Sequence, residues 1–138
     1  MRYEDLRVGQ FAERSRTVTA ELVERYAEVT GDFNPLHMDE AVAARSRFGG
    51  RIAHGMLAAG FVSAVIGMDL PGSGAVWMSQ SIRFTRPVKL GDVVTTRVEV
   101  AELMPARRRA KLATTCRNQH ADTVLEGEAT IMMLEESG

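Results

Sequence analysis

The chain has 138 residues, of which 45% are hydrophobic and 25% charged, and its 17 basic and 18 acidic residues give a formal net charge of −1. This length and composition predict one globular domain, residues 1–138, and argue against disorder. A charge so near zero provides no general attraction for nucleic acid or membrane phosphate, so we expect neither partner. A single cysteine, Cys116, excludes an internal disulfide and a multi-cysteine zinc site. The acidic residues in "MRYEDLRVGQ" do not suit a signal peptide, which predicts a cytoplasmic protein.

The first elements in chain order are a short strand and an amphipathic helix. Residues 11–19 carry enough β-branched side chains for a strand. Thr19 then suits a helix N-cap, apolar residues follow at helical spacing, and Gly31 suits the end of that helix. In the next stretch, "GDFNPLHMDE" (31–40), Pro35 fixes its own φ and favours an extended Asn34. We therefore predict a stiff, non-helical segment after the helix.

Residues 55–68, "GMLAAGFVSAVIGM", contain no charged side chain and are apolar on every side. This pattern predicts a buried helix. Its 14 residues are fewer than the ~20 that a membrane-spanning helix needs. Its three glycines and three alanines favour close packing against a sheet.

After the "PGSG" turn at 71–74 the hydrophobic period changes to two, which predicts four strands. Each strand has an apolar row: Val76, Met78, Ile82 and Phe84; Val94, Thr96, Val98 and Val100; Ala110, Leu112, Thr114 and Cys116; and Leu125, Ala129, Ile131 and Met133. Gln80 falls on the row of the first strand, where it faces either a pocket or a buried hydrogen-bond partner. One apolar face needs a cover, and the 55–68 helix is the only element apolar enough. The predicted architecture is α+β, with a curved antiparallel sheet around one central helix.

The segment 31–40 also carries candidate chemistry. Asp32 and His37 are five positions apart on a stiff bend, and such a pair can share one water as general acid and base, with Asn34 orienting the water or the ring. The spacing alone equally fits a turn aspartate, a loop-breaking Asn-Pro pair and a surface histidine. Metal binding by Asp32, His37 and Asp39 is a further alternative, but no other histidine or cysteine lies nearby, so no metal is expected.

A second candidate lies at the start of the apolar helix, in "IAHGMLAAG" (52–60). The first N–H groups of a helix lack carbonyl partners, so the Gly55 N–H can polarise a substrate carbonyl, and glycine allows close approach. The alternative is that Gly55 simply opens a tightly packed helix, with His54 as a hydrogen-bonded neighbour.

The two stretches together have a recognisable pattern. "YAEVTGDFNPLHMDEAVA" followed by "RIAHGMLAAGFVS" resembles the hydratase-2 motif of the MaoC-like, R-specific enoyl-CoA hydratases, and "SQSIRFTRPVKLGD" (79–92) is similar to the corresponding region of that family. This resemblance implies a hot-dog fold. It also implies that Asp32 and His37 are the catalytic residues, with Asn34 between them. The thioester-binding amide falls on Gly55, and the family's pocket serine falls on Ser63.

The reaction implied by the resemblance is the reversible hydration of trans-2-enoyl-CoA thioesters to (3R)-3-hydroxyacyl-CoA, with no metal or redox cofactor. Three alternatives stay open: a (3R)-hydroxyacyl-carrier-protein dehydratase, a hot-dog acyl-CoA thioesterase, and a non-catalytic subunit that binds acyl thioesters. Ile66 lies one helical turn beyond Val62 and is predicted to form the floor of the acyl pocket. Because few strands can bury only part of an apolar helix, we expect a homodimer or a higher homo-oligomer, as the resemblance also implies.

Overall fold

The structure is a computed structural model and describes residues 1–135. Its helices and strands in chain order are β1 (Phe11–Thr17), α1 (Ala20–Thr30), α2 (Pro35–Met38), α3 (Glu40–Ala44), α4 (Gly55–Met68), β2 (Ala75–Phe84), β3 (Val93–Met104), β4 (Arg109–Arg117) and β5 (Thr123–Met133). Within residues 1–135 the strands form one antiparallel sheet in the order β1-β3-β4-β5-β2. Helix α4 packs against it. The predicted α+β architecture, a curved antiparallel sheet around one central helix, is confirmed.

The capping signals in the first half of the chain act as their chemistry predicts. The Thr19 hydroxyl accepts a hydrogen bond from the Leu22 N–H at 3.1 Å and so starts α1. Gly31 ends the same helix with φ +83°, a left-handed conformation that glycine adopts without strain. Because α1 ends at this point, the next residue, Asp32, is directed out of the helix.

The prediction that "DFNPLH" is non-helical holds for residues 32–34 and is wrong from Pro35 onwards. Pro35 to Met38 form a one-turn helix, α2, and the Asn34 side-chain oxygen caps it by accepting from the Leu36 N–H at 3.0 Å. Proline suits the first helical position, because its fixed φ is helical and its missing N–H would have no partner there. Pro35 therefore begins a helix here, and that helix places His37.

The apolar rows predicted for β3, β4 and β5 are confirmed, and all of their members are buried: Val94, Thr96, Val98, Val100, Ala110, Leu112, Thr114, Cys116, Leu125, Ala129, Ile131 and Met133. All of them except Thr96 and Thr114 belong to one hydrophobic core cluster with the inner side of α4, which contributes residues such as Leu57, Val62 and Ile66. Burial of this area is the main source of stability in the fold.

The row predicted for β2 is partly wrong because the strand contains a bulge. Trp77 pairs with Ile131 but Ser79 pairs with Thr130, so Met78 is an extra residue. An extra residue moves every side chain before it to the opposite face. Val76 is therefore not on the row that faces the helix, which consists of Ala75, Trp77, Gln80, Ile82 and Phe84. The prediction for Gln80 holds: its Nε2 donates to the Thr114 hydroxyl at 2.9 Å.

Helix α4 spans the residues predicted for it, but one of its sides is uncovered in a single chain. The exposed residues are Gly55, Met56, Gly60, Ser63, Ala64, Gly67 and Met68. The expectation of a wholly buried helix is therefore wrong for the isolated protomer, because five strands wrap around only one side. None of the helices within residues 1–135 is long and apolar enough to cross a membrane.

Candidate active site

A cavity of about 350 Å³ lies at the amino-terminal end of α4. Its walls come from α2, from the residues that precede α4, and from the end of β2 with the residues after it, and they include His37, His54, Gly55, Ala58, Phe84 and Val88. His37 of the first candidate segment and Gly55 of the second therefore meet at one opening, whereas Asp32 and Asn34 are not among its lining residues.

The structure brings Asp32 and His37 together. One potential ligand atom each from Asp32, His37 and His54 lies within 4.8 Å of the others. The Asp32 Oδ1 also accepts a hydrogen bond from the Asn34 N–H at 3.2 Å, which restrains the carboxylate next to α2. A carboxylate and an imidazole this close can both contact a single water molecule.

The hydrogen bond of His37 indicates which of its nitrogens is basic. Its Nδ1 lies 2.8 Å from the carbonyl oxygen of Ile52, and a carbonyl can only accept. Nδ1 therefore carries the proton, and the lone pair of the neutral ring is on Nε2. This arrangement leaves Nε2 available to take a proton from water.

Asn34 has a structural role that its sequence position did not reveal. Its side-chain oxygen caps α2 and its backbone N–H holds the Asp32 carboxylate. The first bond fixes α2, which carries His37, and the second fixes the Asp32 carboxylate. The predicted role of Asn34 in orienting a water remains a prediction.

Gly55 is the first residue of α4, and it lines the cavity. A Cβ at this position would lie 3.0 Å from two ring atoms of Phe84, which is closer than normal packing allows. Glycine thus lets the Phe84 ring lie against the start of the helix. The N–H of such a first helical residue has no carbonyl partner in its own helix and lies at the positive end of the helix dipole.

Neither Ser63 nor Ile66 is among the residues that line this cavity in the described part of the chain. Ser63 is exposed on the uncovered side of α4, about 12 Å along the helix axis from Gly55 at 1.5 Å per residue. Ile66 is 2% exposed and belongs to the core cluster. Their predicted contacts with substrate remain predictions.

His54 is the site residue that sequence reasoning undervalued. Its side chain is 4% exposed, and its Nε2 lies 2.9 Å from the backbone carbonyl oxygen of Asp32. Its ring centroid is 4.0 Å from that of His37 and 4.5 Å from that of Tyr26. The interpretation of His54 as a fully hydrogen-bonded neighbour is half wrong, since its Nδ1 is buried without a hydrogen-bond partner among residues 1–135. The available signal was a histidine at a helix N-cap, where Ser, Thr, Asp or Asn is usual.

The Tyr26 ring packs against His54 and is the third ring in a row with those of His54 and His37. Burial raises the pKa of the Tyr26 phenol, and the negative charge of Asp32 raises it further. The phenol therefore stays protonated at neutral pH. Tyr26 acts here as a ring that packs against His54 and not as an ionised group.

Asp39, one of the three residues in the metal alternative, caps a helix in the structure. The Asp39 Oδ1 caps α3 by accepting from the Val42 N–H at 3.1 Å. The remaining atoms that could hold a cation, on Asp32, His37 and His54, are the same groups that an acid–base reaction would use. A cation at this position would compete with the water.

The fold and this site together define a hot-dog-fold protein with a carboxylate–imidazole pair at the amino end of its central helix. The family model for the MaoC like domain matches residues 8–123. The chain belongs to the MaoC-like family, so the resemblance noted in the sequence is confirmed.

Named relatives are similar to this chain over most of its length. The 3-hydroxybutyryl-CoA dehydratase of Methylorubrum extorquens is 50% identical over 129 residues, which are 94% of this chain and 82% of the relative. The (R)-specific enoyl-CoA hydratase of Rhodospirillum rubrum is 43% identical over 131 residues, 95% of this chain and 90% of the relative. The solved structure of the R-hydratase PhaJ1 from Pseudomonas aeruginosa superimposes with a TM-score of 0.93 at 45% identity, covering 98% of this chain and 86% of that one.

Proposed function

We propose that this protein is an R-specific enoyl-CoA hydratase, a hydro-lyase that interconverts trans-2-enoyl-CoA and (3R)-3-hydroxyacyl-CoA. The observation that carries the proposal is that polar atoms of Asp32 and His37 lie within 4.8 Å of each other, next to a cavity that His37 and Gly55 line. The names of the relatives support it, because a hydratase and a 3-hydroxyacyl-CoA dehydratase run the same reaction in opposite directions.

Hydration begins with one water held between the Asp32 carboxylate and the His37 Nε2. As the water oxygen bonds to the β-carbon, one O–H bond breaks and its proton passes to this pair of residues. The π electrons of the double bond move towards the thioester oxygen and form an enolate. A proton then returns from the pair to the α-carbon, so the two residues end in their starting state.

The enolate oxygen needs a donor that is in place before the reaction. The Gly55 N–H supplies it at the positive end of α4, where the helix dipole also favours negative charge. The neighbouring walls include Ala58, Phe84 and Val88, and apolar surroundings strengthen such an interaction by lowering the local dielectric constant. In this mechanism protein groups perform both proton transfers, so the proposal needs no metal or redox cofactor.

The reaction is tested by incubating the protein with crotonyl-CoA and following two signals separately. Loss of the enoyl chromophore without release of free thiol is expected for a hydratase. Release of thiol would instead indicate a thioesterase, and neither signal would indicate a binding subunit. Repeating the assay with the same acyl group on a carrier protein separates the coenzyme A enzyme from a carrier-protein dehydratase.

We also propose that the protein is at least a homodimer. The uncovered side of α4 and the exposed apolar residues Val76, Trp77 and Met78 on edge strand β2 support this proposal. A partner that covers this side would also enclose Ser63, which is exposed in a single chain. A stable monomer with full activity, measured by light scattering at micromolar concentration, would contradict it. The cytoplasmic location stays a prediction from the amino-terminal sequence.

A further inference from the structure

We propose that His54 is a positioning residue that holds Asp32 and His37 in the geometry that their shared water requires. This inference rests on the proposed hydratase function, since it assigns a role within that same site. His54 itself is 4% exposed at the cavity wall and is not offered as a proton donor or acceptor for the substrate.

Two different contacts connect His54 to the acid–base pair. Its Nε2–H donates to the backbone carbonyl of Asp32 at 2.9 Å, which fixes the chain at the base of the carboxylate. Its ring packs against the His37 ring with 4.0 Å between centroids and 33° between planes. Asp32 and His37 precede His54 by 22 and 17 positions. His54 therefore links segments that are distant in sequence.

The hydrogen bonds also fix the tautomer of both histidines. The acceptor of each bond is a backbone carbonyl, so the proton is on Nε2 in His54 and on Nδ1 in His37. His54 therefore donates to the Asp32 carbonyl and packs a ring face on His37, and His37 keeps its lone pair on Nε2.

A purely structural role explains these facts less well. A residue chosen only for packing could be apolar here, because the buried Nδ1 has no protein hydrogen-bond partner among residues 1–135. His54 also immediately precedes Gly55, so the same residue sets the start of α4. A polar group that is retained in such surroundings, next to the reacting groups, is typical of a functional constraint.

Three variants separate the two contacts. His54→Phe keeps a ring and removes the donor, His54→Gln keeps a donor and removes the ring, and His54→Ala removes both. His120→Gln is the matched control, because His120 is an exposed turn histidine far from the site in sequence. We expect kcat to fall by about 10²-fold in the alanine variant, because a small misplacement of reacting groups has an effect of this size. The fall should be smaller in the other two variants. KM should change much less than kcat, because His54 is only 4% exposed and offers little surface to a substrate.

Melting temperature is measured beside kcat, and kcat is expressed per folded molecule. If the alanine variant is only less stable and its folded fraction turns over normally, His54 is structural and the proposal is wrong. If kcat falls in the folded protein and is partly restored by His54→Phe or His54→Gln, the proposal holds.

Imidazole ¹⁵N chemical shifts test the same inference without any turnover. The chain has three histidines, so their signals can be assigned by substitution. We expect the Nδ1–H tautomer for His37 in the unaltered protein, where the Ile52 carbonyl accepts from Nδ1. In the alanine variant the ring that packs on His37 is gone, so we expect that hydrogen bond to loosen and a mixture of tautomers to appear. An unchanged His37 tautomer would overturn the proposal. Because this readout needs no substrate, it decides the role of His54 even if the unaltered protein fails to hydrate crotonyl-CoA, a result that would count against the proposed function alone.

Discussion

The centre of the sheet and the segments that form the site are stabilised in opposite ways. In β3, β4 and β5 every second side chain is buried against α4, and the contacts are mostly apolar. At residues 31–38 and 52–55 most side chains are polar or partly exposed, and single hydrogen bonds to backbone groups hold them. Stability and chemistry are therefore carried by different residues, and substitutions should affect one property without the other.

The largest expected effect is on turnover, from the isosteric variants Asp32→Asn and His37→Gln. Each keeps its size and much of its hydrogen bonding but loses proton transfer, so each should lower kcat by roughly 10²-fold to 10⁴-fold. Melting temperature should change little, because neither side chain is in the core cluster. Hydration of crotonyl-CoA and thermal unfolding, measured on the same samples, check both parts of the expectation.

The converse experiment substitutes the centre of the sheet. Leu112 is fully buried in β4, so Leu112→Ala should lower the free energy of unfolding by about 2–5 kcal/mol through lost burial and a new cavity. At a temperature where the variant is still folded, kcat should stay within about threefold of the unaltered value. A loss of turnover as large as that of Asp32→Asn would mean that the two regions are coupled.

Ile66 tests whether the core and the acyl pocket meet. It is buried on α4 next to the sheet, so Ile66→Ala should destabilise the protein by about 2–5 kcal/mol. If its side chain also closes the acyl pocket, as the sequence predicts, the activity ratio of octenoyl to butenoyl substrate should rise. An unchanged ratio in the folded variant would remove Ile66 from the pocket and leave it a core residue.

The smallest effect is expected at Gly55. Gly55→Ala retains the N–H donor, but its Cβ would displace the Phe84 ring, which lies 3.0 Å away. We expect a loss of activity of less than about tenfold, of the size that misplacement near a site produces. The loss should be smaller when Gly55→Ala is introduced into a Phe84→Leu background, where the flat ring is gone. An equal loss in both backgrounds would show that the Phe84 ring is not the cause.

Much of the fold was predictable because its signals are local. The period-two rows of β3 to β5, the Thr19 cap, the left-handed Gly31 and the bounds of α4 all follow from short stretches of sequence. The bulge at Met78 was missed because the partner strand decides it, and nothing in β2 alone marks an extra residue. Helix α2 was missed because proline was interpreted only as a helix breaker, whereas it also suits the first position of a helix.

The site was predictable only in part. Asp32, His37 and Gly55 were named through the family resemblance, since the spacing of the pair alone fits an ordinary turn just as well. His54 was adjacent to a predicted site residue, yet its role depends on contacts with residues 22 and 17 positions earlier. Such contacts exist only once α1, α2 and α4 have packed together.

The central claim is that Asp32 and His37 act on one water as a single unit, and a double-mutant cycle tests it most directly. The hydration rate of crotonyl-CoA is measured for Asp32→Asn, His37→Gln and the protein carrying both changes. Residues that act as a unit have strongly non-additive effects, so the double variant should be only a few-fold slower than the slower single variant. If the two losses multiply instead, the residues act independently and the shared water is contradicted.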